Sequence, residues 1–238
     1  MKTILFSGFI TLLLYAACTP SRPQPEERKL PVIVEVIQPD STAVESKFLE
    51  RCRAMNIPVE SLYIWNNHWV VFDTLATPEV LIQQLQADYP AARIEYYENP
   101  FYLFDRNLCE DQMISGKWSH TLMTANLVDD IDLQQEYMEH HATQFEKWPE
   151  ISKGFCNAEF QQLLIYRNKR QLMLIISIPH EKTLDELNPK TAENNPRVDE
   201  WNVMMAKYQE GIEGTQPGET WVIFTPVSHF ANAIKYAE

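Results

Sequence analysis

Pro31-Val-Ile-Val-Glu-Val-Ile37 is rich in β-branched residues around a single acid, and it reads as a strand. The elements that follow it decide the fold. A helical stretch covers about 42–55, with Val44, Phe48 and Leu49 apolar. Two strands come next, Ser61-Leu-Tyr-Ile-Trp65 and His68 to Phe72, joined at Asn66-Asn67, a pair suited to a tight turn. Thr77-Pro78-Glu79 opens a second helix, with Thr as N-cap and Pro at the first helical position. Val80, Leu81, Leu85 and Tyr89 fall on one face of it. Ile94-Glu-Tyr-Tyr97 adds a fourth strand, so the order is βαββαβ, the ferredoxin-like unit.

The same order recurs downstream. Thr121 to Leu127 is a strand, and Asp132 to about Phe155 is helical, bent or reset near Pro149. Phe160 to Tyr166 and Gln171 to Ile178 form a hairpin around Asn168-Lys-Arg170. Val198 to Tyr208 is a helix with Val198, Trp201, Met205 and Tyr208 on one side, and Trp221-Val-Ile-Phe224 closes the sheet. The repeat is one of pattern rather than of residue identity. Residues 99–117 read as a linker between units at 30–98 and 118–238.

Ahead of these units, Lys2 is followed by an apolar run from Ile4 to Ala17, 14 residues long and too short to span a bilayer as a helix. A charged start, a short apolar core and Ala16-Ala17-Cys18 make residues 1–17 a secretory signal resembling that of bacterial lipoproteins, with Cys18 the lipidated first residue. The Pro-rich stretch 18–29 reads as an extended spacer. This places the chain in the cell envelope, lipid-anchored on the non-cytoplasmic side. The remaining cysteines, Cys52, Cys109 and Cys156, lack metal-type or CxxC spacing and read mostly as buried small hydrophobes. A net charge of −13 disfavours a nucleic-acid partner. Neither a dinucleotide nor a P-loop glycine motif occurs, and no G-x-S-x-G elbow is present.

Leu127-Val-Asp-Asp-Ile-Asp-Leu-Gln-Gln-Glu-Tyr137-Met-Glu-His-His141 and Trp148-Pro-Glu-Ile151 resemble the L-rhamnose mutarotase family. So do Asn195-Pro-Arg-Val-Asp-Glu-Trp201, Met204-Met205, Lys207-Tyr208-Gln209 and Pro217-Gly-Glu-Thr-Trp221. The resemblance covers about 120–230 and implies exchange of the α and β anomers of L-rhamnose or a related 6-deoxy sugar, with neither metal nor coenzyme. It gives His141 the proton-donor role and gives Tyr137 and Trp201 substrate contacts. It also implies an α+β fold in which two ferredoxin-like sheets pack into a dimeric α+β barrel. With two units in one chain, that barrel would be built within the chain and leave a monomer. The apolar residues Val32, Val34, Val36, Leu62, Ile64, Val70 and Phe72 are available to bury the first unit's open face.

Anomer exchange requires one group to take the proton of the anomeric hydroxyl and another to protonate the ring oxygen. Such general acid–base help gives about 10²–10⁴-fold. Tyr137 and His141, four apart, share one helical face. In that family the His stands one helical turn before the Trp of W-P-E. Here the gap from His141 to Trp148 is seven, and an ungapped reading puts Gln144 at the His position. A second family Tyr aligns with Leu163, while Tyr166 points to the other strand face; Glu200 takes the place of a second Trp. His140 reads as surface, His229 as a loop residue near Thr225 and Ser228, and His68 as scaffold. A sugar-binding or interaction module that retains the fold without catalysis is the alternative reading.

Overall fold

A computed structural model describes residues 29–39 and 46–230 of the chain. The first unit contains β1 (Val32–Ile37), α1 (Ser46–Ala54), β2 (Leu62–Trp65), β3 (His68–Asp73), α2 (Pro78–Asp88) and β4 (Arg93–Tyr97). The second contains β5 (Tyr102–Asp105), β6 (Trp118–Leu127), α3 (Ile131–Ala142), α4 (Gln144–Lys147) and α5 (Pro149–Asn157). It continues with β7 (Gln162–Asn168), β8 (Gln171–Pro179), α6 (Leu184–Leu187), α7 (Pro196–Met205), β9 (Gln209–Glu210), β10 (Val222–Ile223) and β11 (Thr225–Pro226). The signal segment, Cys18, the spacer and part of the first helix as read from sequence lie outside the described residues.

The strands form two antiparallel sheets, ordered β11-β2-β3-β1-β4 and β10-β6-β8-β7-β5, with β9 beside β6. The first sheet takes β11 from the far end of the chain, and the second takes β5 from the segment read as a linker. Within 99–117, β5 pairs with β7, aligning Tyr102 with Ile165 and Phe104 with Leu163. At the far end, β11 pairs with β2, aligning Thr225 with Ile64.

Both faces of the first sheet are buried. Val34, Val36, Leu62, Ile64, Trp69 and Val71 meet Phe48 and Cys52 of α1 and Leu81 and Leu85 of α2. On the other face, Ile33, Tyr63, Val70, Phe72 and Tyr97 pack against Leu122, Leu164, Tyr166, Met173 and Ile175 of the second sheet. The sequence-based set is therefore corrected in part. Val70 and Phe72 face the second sheet, but Val34, Val36, Leu62 and Ile64 face the helices. Register shows why, since Val34 lies opposite Val71, which in turn lies opposite Leu62. Strands buried on both sides are apolar almost throughout, so alternation carries no phase to say which face is which.

The long helix expected over 132–155 is three. Asp130 caps α3, its carboxylate accepting from Asp132 N–H at 3.0 Å and Leu133 N–H at 3.1 Å. Thr143, at φ −107 and ψ 7, ends α3, and Pro149 starts α5. The cysteines also depart from expectation: Cys109 and Cys156 form a disulfide that ties the segment after β5 to the end of α5. Cys52 is free and buried, and burial pushes its thiol up to about 12. Among the described residues no helix is long and apolar enough to cross a membrane.

Candidate active site

α3 brings Tyr137 and His141 onto one buried face, 1% and 6% exposed, with ring centroids 4.3 Å apart. His141 Nδ1 lies 2.9 Å from the carbonyl oxygen of Tyr137. A carbonyl only accepts, so this nitrogen carries the hydrogen and Nε2 is left with a free lone pair. Burial lowers the imidazole to about 4; the Tyr137 carbonyl opposes the shift and the neighbouring His140 adds to it. The ring is neutral at pH 7, and in that state it accepts a proton rather than donating one.

Aromatic rings enclose His141. Tyr102 and Trp201 stand edge-on at 5.3 Å, and Phe101 at 5.7 Å. Trp148, the Trp of the W-P-E motif, backs Trp201 at 5.6 Å and carries the Arg197 guanidinium over its face at 3.8 Å. His141, Tyr137 and Trp201, the three residues singled out from sequence, line one cavity of about 710 Å³. Leu163, Ile165, Leu174 and Ile176 of β7 and β8 also line it. Gln209 Nε2 donates to the Tyr137 hydroxyl at 3.4 Å, and Gln209 Oε1 accepts from Trp221 Nε1–H at 3.0 Å. Burial lifts the Tyr137 phenol well above 10, so its O–H stays a donor.

Gln144 does not stand in for the histidine. The break at Thr143 turns it behind the cavity wall, where its Oε1 accepts from Tyr102 O–H at 2.6 Å and its Nε2 donates to the Trp148 carbonyl at 2.6 Å. The wider spacing between His141 and Trp148 is thus taken up by the short α4 and does not displace His141 along a continuous helix. His140 is half-buried outside the cavity, its Nε2 3.1 Å from the Tyr208 hydroxyl, which donates to Glu136 at 3.2 Å. Glu200 is exposed and pairs with Arg197 at 2.5 Å. Leu163 occupies the cavity wall, whereas Tyr166 faces the first sheet and donates to the Pro31 carbonyl at 2.6 Å. His229 and Thr225 are exposed and Ser228 half-buried, and none of them lines this cavity.

Tyr102, Gln209 and Trp221 also line the cavity without having been assigned to it from sequence. Trp221 and Gln209 lay within the quoted motifs, so a signal existed for them; Tyr102 had none beyond a four-residue alternation. Among the described residues no group of three His, Cys, Asp or Glu side chains could hold a metal ion.

The family model of L-rhamnose mutarotase matches residues 123–230, which contain every cavity-lining residue named above except Tyr102. An L-fucose mutarotase from Xanthomonas campestris pv. campestris is 27% identical over 96 residues, covering 40% of this chain and 75% of that protein. Residues 123–230, which carry His141, Tyr137 and Trp201, are the part of this chain that is similar to the L-rhamnose mutarotases.

Proposed function

We propose that the chain speeds exchange between the α and β anomers of L-rhamnose, L-fucose or a related 6-deoxy sugar. The observation that carries this reading is the neutral, tautomer-fixed His141 inside an aromatic cavity, within the segment similar to mutarotases. His141 Nε2 takes the proton of the anomeric hydroxyl as the bond between the anomeric carbon and the ring oxygen breaks. The ring oxygen receives a proton from the Tyr137 O–H, which Gln209 steadies. Rotation of the aldehyde carbon and reclosure return both protons, so none is consumed. His141 therefore accepts first and donates on the way back, which refines the donor role implied by the resemblance. Trp201 and Tyr102 flank the sugar ring, and the aliphatic residues of β7 and β8 suit the methyl group of a 6-deoxy sugar.

The pairing of β11 with the first sheet and the apolar layer shared by the two sheets support a closed pseudo-dimeric barrel and a monomeric protein. A disulfide suits an oxidising compartment, in keeping with lipidation at Cys18 and a non-cytoplasmic location. Saturation-transfer NMR on L-rhamnose and L-fucose tests the activity directly. Exchange between anomer signals faster than in buffer is expected. Binding of sugar with no rise in exchange would leave the non-catalytic module as the answer.

A further inference from the structure

The layer between the two sheets is apolar along most of its length and turns polar at one end. Glu35 is 0% exposed there. Its carboxyl oxygens meet His68 Nδ1 at 2.7 Å, the Tyr97 O–H at 2.9 Å and, from the second sheet, Gln171 Nε2 at 3.1 and 3.2 Å. A buried acid held this way adds little stability over a well-packed apolar replacement. It does orient a histidine: with Nδ1 engaged by the carboxyl group, the opposite ring nitrogen is left for another partner.

His68 lines a cavity of about 900 Å³ together with Gln38, Asn66, Asn126, Asn168 and Gln171. None of its lining residues belongs to the His141 cavity. Gln38 is 7% exposed, and its side-chain Nε2 has no hydrogen-bond partner among the described residues. Its backbone is held by Asn67, whose carbonyl accepts from the Gln38 N–H at 2.9 Å and whose side-chain amide donates to the Gln38 carbonyl. The residue is thus pinned with a buried donor unspent, which is unfavourable until an acceptor arrives.

The charge pattern points to a neutral ligand. Arg93 and Lys169 share Glu95, at 3.5 and 3.3 Å, Arg170 pairs with Glu210, and Glu213 also lines the cavity, so three cations there are balanced by three acids. What remains is amide-rich, and amides offer donors and acceptors together, the pattern that hydroxyl groups require. We propose that this cavity is a second binding site, for a neutral polyhydroxylated ligand of the sugar class, with Gln38 donating to a ligand oxygen and His68 accepting from a hydroxyl. It stands independently of the anomer-exchange reading.

The test uses the full chain labelled with ¹⁵N and titrated with methyl α-L-rhamnoside, methyl α-L-fucoside and methyl α-D-glucoside, which cannot exchange anomers. At least one should move the Gln38 side-chain amide and the His68 ring signals along a saturable curve, equally in wild type and in His141→Ala. Affinity should fall at least tenfold in both Gln38→Leu and Asn126→Leu. If Gln38→Leu does not fold, Asn126→Leu decides alone. Silence at Gln38 and His68 with all three glycosides overturns the proposal, as does a curve that survives the substitutions unchanged. So does a response to glucuronate with none to neutral glycosides. Exchange activity with silent His68 signals would remove this site and spare the His141 reading; the reverse result would do the opposite.

Discussion

His141 Nδ1 donates to the carbonyl oxygen of Tyr137 at 2.9 Å, one turn back on the same helix, and this contact leaves Nε2 as the working nitrogen of the cavity. Burial holds the folded imidazole at about 4 against an ordinary 6.5. Between those values the unfolded chain binds a proton that the folded chain refuses. Stability from this group is therefore full above about 6.5 and is lost as pH falls towards about 4. The total is on the order of 3 kcal/mol. Urea unfolding at pH 7 and at pH 4.5 should show the loss in wild type and a smaller one in His141→Gln. Equal losses would refute the assignment. Exchange, which needs only the neutral ring, should be level from pH 8 down to about 5.5.

Adjacent histidines offer an internal control. His141→Ala should lower anomer exchange by about 10²-fold or more while the protein stays folded. His140→Ala loses the contact to the Tyr208 hydroxyl and ring contacts to Tyr208 and Trp201 from outside the cavity, and should change exchange by less than about threefold. Rates from saturation transfer, with circular dichroism as the folding check, compare the two. Like behaviour in both variants would remove His141 from the chemistry.

The Cys109–Cys156 bridge closes a loop with a sequence separation of 47. Constraint of the unfolded chain by a loop of that size contributes about 2–4 kcal/mol. Cys156→Ser should lower the thermal midpoint by several degrees, and a reductant should lower wild type to the same value. A reductant that leaves wild type untouched, in a sample shown to be reduced, would contradict this.

Local signals made most of the architecture legible. Thr77-Pro78 marks a helix start, Asn66-Asn67 marks a hairpin, and the motif around Tyr137 and His141 fixes a helical face. What stayed hidden depends on contacts distant in sequence. Tyr102-Leu-Phe-Asp105 is too short to announce a strand and gains its identity only by pairing with β7. The alternation in Val32–Ile37 could not say which face meets helices, because both faces are buried. The end of α3 at Thr143 carries no glycine or proline to declare it; the proline comes only at Pro149. Glu35 reads as the polar member of an alternating strand until Gln171, 136 residues away, is seen to reach it.

Tyr102 is where that hidden strand meets the cavity, and its two halves have separable jobs. The ring stands edge-on to His141 at 5.3 Å and stacks on Phe145 at 5.6 Å, while the hydroxyl donates to Gln144 Oε1 at 2.6 Å. Tyr102→Phe keeps the wall but leaves a buried acceptor with only the Ser152 hydroxyl, at 3.5 Å. That should cost about 1–3 kcal/mol of stability and change exchange by only a few-fold. Tyr102→Ala also opens a void and should cost about 3–5 kcal/mol, with a larger loss of exchange as the site floods with water. Gln144→Leu in the Tyr102→Phe background removes the orphaned acceptor and should recover part of the lost stability, less what the bonds from Gln144 Nε2 to the Trp148 carbonyl and the Ser152 hydroxyl contribute. Urea unfolding of the four chains in this cycle gives the coupling energy. A value near zero would mean that the hydroxyl and Gln144 are not coupled, and that Tyr102 serves the cavity through its ring alone.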